Sequence, residues 1–397
     1  MTMKGISKTS SCTLWDCLML LGFFLLGGSA IVSVVGLKVV YLVDAIAVLV
    51  FVFKVKSISK RNLRTLLVVG GFLLADFFYW HILDEKPSEG AYITCALIVV
   101  FVFMMTTMMT ISAFEHAFIV VLTAIAASSL VIYIAAILFG IDRFAIYGNE
   151  IHQFILLHSF CGFKDFRNSS IFWEPGIFQI YLNVGLFFLL FQNVYRAQKK
   201  LYYVALLLFV VSILTTKSTT GYIVLVGIVC YWLLVKWKNK SIGFKVLMLV
   251  PMVAIILIIL YFAWNSYAIQ YKFFSVNQSL PKRLAALTST PGILRDNPIL
   301  GVGIGTRLSY DRYADFGVQD NSNGIANVFV QLGIIYGIAY LNQLVSKSKY
   351  YFANRKFLFL GLIIVCLMTE PLTYYSIGVL FWFTFKRQNA LIGRTVK

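Results

Sequence analysis

Charge is scarce in this chain of 397 residues: 13% are Asp, Glu, Lys or Arg, and the acids number 16 against 34 bases. With 60% hydrophobic residues and a mean hydropathy of +0.85, that scarcity excludes an ordinary soluble domain, whose charged share is about 25%. The cysteines carry little information. Cys12, Cys17, Cys95, Cys161, Cys230 and Cys366 show no metal-ligand spacing, and only Cys161 falls in an expected outer segment, so neither a disulfide framework nor a metal site is implied. A small-residue cleavage site is missing after the first apolar run, which is therefore expected to be a retained span rather than a cleaved leader. No internal repeat of the kind carried by inverted-repeat transporters is visible, and that absence weighs against a transporter.

What the chain does have is long apolar runs. Stretches able to cross about 30 Å of hydrocarbon at 1.5 Å per residue lie at roughly 13–35, 36–53, 65–83, 91–112, 117–140, 176–195, 200–216, 219–235, 244–264 and 322–343. The stretch 357–385 is interrupted by TEPLTYY and reads as two short spans meeting at Glu370-Pro371. The expected fold is an all-α integral membrane protein of about twelve transmembrane helices, within a range of ten to twelve, forming a single polytopic domain over residues 1–397.

The bases test this layout, because Lys and Arg favour cytoplasmic loops. With the N-terminus inside, 22 of the 34 bases fall on inner segments, the clusters at 54–64 and 236–245 among them; the outer segments take the other 12, together with 12 of the 16 acids. The basic excess is thus topological. It is divided among short inner loops rather than gathered on one face, so nucleic acid is not an expected partner. Both termini are expected to be cytoplasmic.

Most connections are short, but two outer segments, about 141–175 and 265–321, are long, and long loops in a compact architecture are more often functional than accidental. In the second, SLPKRLAAL has a cap candidate at Ser279 and Pro281 near a first turn, which predicts a short helix over about 281–290. TPGILRDNPILGVGIG follows, rich in Pro and Gly and so expected to be irregular backbone packed close to something. Residues 265–295 hold four bases and no acid, which gives this loop a cationic half.

In the first loop, RNSSIFWEPG puts Arg167 just outside the sixth span and Glu174-Pro175-Gly176 at its junction. Proline in a first helical turn costs no hydrogen bond, and the exposed N–H groups there favour an anion. The plain reading is a helix-end acid and a headgroup-anchoring arginine. A second reading comes from the wider pattern. RNSSIFWEPG, TTKSTTGYI, NPILGVGIG and SNGIANVFVQLGIIYG, in that order over about 160–340, resemble the O-antigen polymerase and ligase superfamily, membrane enzymes that join glycans carried on polyprenyl diphosphate. The family's motif residues fall on Arg167 and Glu174, Ser218 and Gly221, Arg283, Pro298, Gly301 and Gly303, and Asn323 and Gly333. Members often have a histidine just before that asparagine. Here the position is Ser322, a departure that favours polymerase over ligase and leaves the general base unassigned by the motif.

The resemblance implies a glycan polymerase in the bacterial inner membrane, using a polyprenyl (undecaprenyl) diphosphate-linked donor at the outer face, with no cofactor and no metal. Its expected partners are polyprenyl-diphosphate-linked oligosaccharides, membrane lipids and a chain-length regulator protein. Guanidinium forks match phosphate oxygens bidentately and keep their charge, so Arg167 and Arg283 are the candidates to hold the diphosphates, with Arg295 and Arg307 second. Glu174 is the candidate base for the acceptor hydroxyl. Ser218, Asn323 and Tyr310 are candidate substrate contacts. The alternatives are a ligase and, from a different class, a lipid-linked oligosaccharide flippase, which would be expected to show two related halves and cations inside its spans.

Other residues draw plainer readings. GVGIGTR lacks a preceding strand and a Walker lysine, so it is not a nucleotide loop. Asp44 and Asp76 are intramembrane acids, functional candidates by default, although a hydrogen bond to a neighbouring helix accounts for either. His152 and His158 lie in the first outer loop without metal-ligand neighbours. Trp173, Tyr310 and Tyr313 are the outer-loop aromatics placed to stack on sugars.

Overall fold

The computed structural model describes residues 12–140, 147–148, 152–155, 157–161, 166–192, 198–244, 279–315, 323–352 and 355–386, with single helical positions between 247 and 270. Six helices come first: α1 (Leu14–Leu25), α2 (Ala30–Val35), α3 (Leu37–Lys54), α4 (Lys60–Ile82), α5 (Glu89–Met108) and α6 (Ile111–Phe139). Four short strands follow: β1 (Tyr147–Gly148), β2 (His152–Ile155), β3 (His158–Cys161) and β4 (Arg167–Ser170). The helices resume with α7 (Pro175–Phe191), α8 (Lys199–Thr215), α9 (Thr219–Lys236), α10 (Ser279–Leu294), α11 (Arg307–Asp315), α12 (Gly324–Tyr351), α13 (Lys356–Thr369) and α14 (Ser376–Val379). The last is flanked by 3-10 turns at Leu372–Tyr374 and Leu380–Trp382.

Helix starts follow their caps. Thr13 and Asp16 form a reciprocal capping box on α1, while Ser29, Ser88, Thr110, Ser218 and Asn323 each accept a backbone N–H from the first turn of α2, α5, α6, α9 and α12. Helix α7 is buried on every side over residues 175–189, its two polar side chains Gln179 and Asn183 included, so it serves as the axis of the bundle. Around its middle, Tyr181 stacks on Phe172 at 4.8 Å between ring centres and meets Phe24 edge-on at 5.2 Å. The Tyr181 hydroxyl donates to Gly27 O at 3.1 Å, so the buried phenol keeps a partner.

Among the described residues five helices, α4, α5, α6, α9 and α12, are long and apolar enough to cross a membrane, and α1, α7 and α13 are shorter apolar helices. The helical membrane architecture matches expectation, whereas the count of twelve spans does not emerge. The run 13–35, expected to be one span, is broken: α1 is 12 residues, and Gly28 at φ 92° turns the chain into α2. The outer segment 141–175, expected to be a loop, contains a small antiparallel sheet in the order β1-β2-β3-β4, a local addition to a chain that is otherwise mostly helical, as expected of an all-α membrane protein. The expected helix at 281–290 is present and longer, as α10. The expected span 244–264 lies outside the described residues, apart from isolated positions.

The second half of the 357–385 tail is also not one continuous helix. After Pro371 the chain returns through the bundle in 3-10 turns, the single turn of α14 and extended backbone, a geometry tolerated at membrane depth only where protein groups satisfy the peptide units. Asn62 supplies both a donor to Thr384 O (2.8 Å) and an acceptor for Thr384 N (3.0 Å), and the Tyr351 hydroxyl donates to Phe383 O and accepts from Phe385 N.

The expected tenth span is α12, and it is broken at Gly333 (φ 77°, ψ 178°). The Pro/Gly-rich segment 297–306 packs on this break: Val302 N donates to Val330 O (2.8 Å), Gly303 N to Gln331 O (3.0 Å) and Ile334 N to Pro298 O (2.8 Å). A Cβ on Gly333 would lie 2.0 Å from Ile299 O, and one on Gly301 2.3 Å from Val330 O. These motif glycines therefore serve a backbone-to-backbone clasp. A second tie runs from Asp76, which accepts the Tyr92 hydroxyl, to Ile304 N, which donates to the same Tyr92 oxygen at 3.0 Å. Asp76 thus has a structural partner on α5. Neither carboxylate oxygen of Asp44 on α3 has a hydrogen-bond partner among the described residues.

Candidate active site

The connections α1–α2, α4–α5, α6–α7, α8–α9, α10–α12 and α13–α14 come together at one end of the bundle. Ala30 N donates to Ile171 O, Trp173 N to Gly28 O, Ser376 N to Leu26 O and Ser88 N to Ile304 O. The described parts of both long outer segments that make these contacts, 167–173 and 297–306, lie at this end.

The segment RNSS is fastened by its asparagine. Fully buried Asn168 accepts from Ser129 Oγ on α6 at 2.7 Å and donates to Thr215 Oγ1 on α8 at 3.1 Å. That fixes Arg167, whose Nε donates to Thr216 O at 3.1 Å, at the carboxyl end of α8, where a cation is favoured by the helix dipole. The α8–α9 turn is tight: Lys217 takes a left-handed φ of 48°, uncommon for a non-glycine residue, and burial pushes its ammonium below the usual range. Ser218 caps α9, and Gly221 lets α9 approach Gln179 of α7, where a Cβ would come within 3.0 Å.

Four residues on, the chain enters α7. Glu174 is the N-cap residue in extended conformation and makes no side-chain cap; Pro175 opens the first turn as its sequence position predicts. The carboxylate lying on this turn belongs instead to Glu370. A Cβ on Gly176 would come within 1.9 Å of Glu370 Oε1. Glu370 follows the last residue of α13, where Pro371 stops the helix, and it is only 8% exposed. Its Oε1 stands 3.9 Å from Arg283 Nη2 on α10. Both Glu370 and Glu174 are within electrostatic reach of Tyr375. Gly324, at the start of α12, packs against the carbonyls of Glu370 and Leu367, so α7, α12 and α13 converge here.

Of the sequence candidates, Arg283 thus pairs with Glu370 at the first turn of α7, the helix whose N-cap residue is Glu174, while Arg167 is held at the α8–α9 turn. Ser218 and Asn323 act as helix caps. Asn323 Oδ1 accepts from Ala326 N at 3.1 Å, which gives it a structural task. Arg295 is exposed beyond α10. The side chains of Arg307 and Tyr310 lie outside the described residues, and so does Ser322. Tyr313 is 5% exposed among Ala286, Ile293, Val302 and Val330, so it is core and not a sugar platform. Trp173 lines, with Tyr375, Ser29 and Thr94, a cavity of about 200 Å³ that neither Glu174 nor Glu370 lines. His158 is buried beside Ser128 Oγ (3.2 Å), and burial lowers its imidazole to about 4. The side chain of His152 lies outside the described residues. Glu370 is the residue the sequence reading missed as a site member. The signal was there: the dipeptide Glu-Pro occurs at 174–175 and again at 370–371, each beside an apolar helix. Among the described residues no group of three or more His, Cys, Asp or Glu side chains is placed to hold a metal.

Residues 204–341, from early α8 into α12, match the family model described as O-antigen ligase, as expected of the O-antigen polymerase and ligase superfamily. The matched stretch includes Ser218, Arg283, the clasp glycines and Asn323, and leaves Arg167, Glu174 and Glu370 outside it. No curated protein and no solved structure matches the chain. The family and the apolar helices together indicate a membrane protein of the glycan-transferring, surface-polysaccharide type.

Proposed function

We propose that this chain is a surface-polysaccharide polymerase, an O-antigen polymerase in kind. It moves a growing glycan from polyprenyl diphosphate to the non-reducing end of a new lipid-linked repeat unit at the outer face of the bacterial inner membrane. The observation that supports this reading is the pairing of Arg283, from one long outer segment, with Glu370 at the first turn of α7, the helix that Glu174 of the other outer segment caps.

In the reaction an acceptor hydroxyl oxygen attacks the anomeric carbon of the donor glycan. The bond from that carbon to the diphosphate oxygen breaks, and the diphosphate leaves with the electron pair. Charge grows on the leaving oxygens, where the Arg283 and Arg167 guanidinium groups stabilise it. The hydroxyl proton passes to the Glu174 carboxylate. The donor is already activated by its diphosphate, so no nucleotide sugar enters.

A second reading is supported by the family description itself: a ligase would transfer the finished glycan to another acceptor. Deleting the gene distinguishes the two. A polymerase deletion leaves single repeat units on the surface acceptor and no polymer; a ligase deletion leaves polymer stranded on the lipid carrier. Purified protein supplied with lipid-linked repeat units in EDTA is expected to lengthen them. Failure to do so, with stranded polymer in the deletion strain, overturns the polymerase reading.

A further inference from the structure

We infer that Glu370 is a positioning residue of the transfer site: its carboxylate fixes the Arg283 fork against the first turn of α7, leaving Glu174 to accept the proton. The inference rests on the glycan-transfer reading for its role and on geometry for its contact.

A carboxylate that is 8% exposed is costly unless it is paired. Glu370 meets two features that favour negative charge at once, the Arg283 guanidinium at 3.9 Å and the N-terminal turn of α7 at Gly176, where the helix dipole is positive. Position 176 must be glycine for this to occur, since any side-chain carbon there would collide with Oε1. The backbone around Glu370 is itself fixed. Its N–H donates to Cys366 O (3.1 Å), Pro371 ends α13, and α12 begins on its carbonyl. The carboxylate is therefore set by three helices and sets Arg283 in turn. Guanidinium has five N–H donors in a rigid fork, so one edge can face Glu370 while others face a phosphate. Placement of such a donor matters because a misplaced one stabilises the leaving charge poorly.

The same geometry separates the two Glu-Pro acids. Glu370 is committed to a cation and a helix end. Glu174 is half-buried at the N-cap of α7 and makes no side-chain cap there.

Two measurements on the full-length purified protein test this. The first is the rate at which phenylglyoxal modifies Arg283, followed by mass spectrometry of its peptide. Glu370→Gln is expected to speed it several-fold, because the guanidinium loses its anchor. The second is repeat-unit transfer. Glu370→Gln is expected to lower kcat by about tenfold or more with KM within about threefold of wild type, and to cost nothing further in an Arg283→Lys background. If Glu370→Gln does not give monodisperse protein, Glu370→Asp, one methylene short of Arg283, replaces it with the same expectations. Unchanged phenylglyoxal reactivity, or losses that multiply in the double variant, overturns the inference. Should wild-type protein transfer no repeat unit at all, the functional reading fails, and the phenylglyoxal result alone decides the contact.

Discussion

Val302 gives its backbone N–H to Val330 O across 2.8 Å, just before α12 breaks at Gly333. An irregular segment has taken over hydrogen bonds that a straight helix would have made with itself. The φ and ψ of Gly333 belong to a region almost restricted to glycine, and Ile299 O occupies the space of any side chain. Gly333→Ala and Gly301→Ala are each expected to cost about 3 kcal/mol or more, strain and overpacking together. Gly70→Ala on α4, where no atom lies within 4 Å of the added carbon, is expected to be neutral or stabilising by up to about 1 kcal/mol. Yield in the membrane fraction and thermal unfolding in detergent check the contrast.

Arg167→Lys and Arg283→Lys are each expected to lower repeat-unit transfer by about 10² to 10³, close to the effect of alanine, since a point charge does not reproduce the planar fork. Headgroup anchors would accept lysine. Near-normal polymer from both variants at normal protein levels removes the two arginines from the mechanism.

His158 sets a pH dependence. Its imidazole is buried and titrates near pH 4 in the folded chain against 6.5 unfolded, so between these values the unfolded chain binds the extra proton. The stability it confers is full above pH 6.5 and declines as pH falls toward 4, by roughly 3 kcal/mol in all. His158→Gln is expected to flatten this part of the unfolding profile. Equal slopes for variant and wild type over pH 4 to 6.5 contradict it.

Sidedness is open to labelling. With the six native cysteines replaced by serine, Thr288→Cys is expected to react with an impermeant maleimide in intact cells. Ile242→Cys is expected to react only after lysis, because the bases around it mark an inner loop. Reversed labelling inverts the proposed topology.

Much of this was legible. Long apolar runs gave α3 to α6, α8 and α9 to within a few residues, because a helix in hydrocarbon must satisfy its own backbone and needs a minimum length. The start of α7 was legible from Pro175. The departures share a cause: their backbone is satisfied by residues far away in sequence. Composition does not announce a break at Gly27-Gly28 inside an apolar run, and strands of four residues are too short to show a period. The return segment after Pro371 depends on Asn62, some 320 positions earlier. At the site, the motif pointed to Arg283 and Glu174, but the acid that pairs with Arg283 came from a helix end outside the motif. Asn323 and the glycines, which the family pattern marks, have structural duties that explain their residue types.

The returning stretch 372–386 has a consequence for how the protein is held together. A continuous helix can be released into lipid alone, since its peptide groups bond to one another. This stretch has no such independence. Its acceptors and donors sit on Asn62 of α4, Tyr351 of α12 and the carbonyls of Thr106 and Met109, where Lys386 N ends. Its place exists only where those helices stand together, with Trp382 against Tyr336, Phe383 against Phe103 and Phe385 against Phe114. The stretch is docked rather than self-supporting, and it ties α4 and α5 to α12.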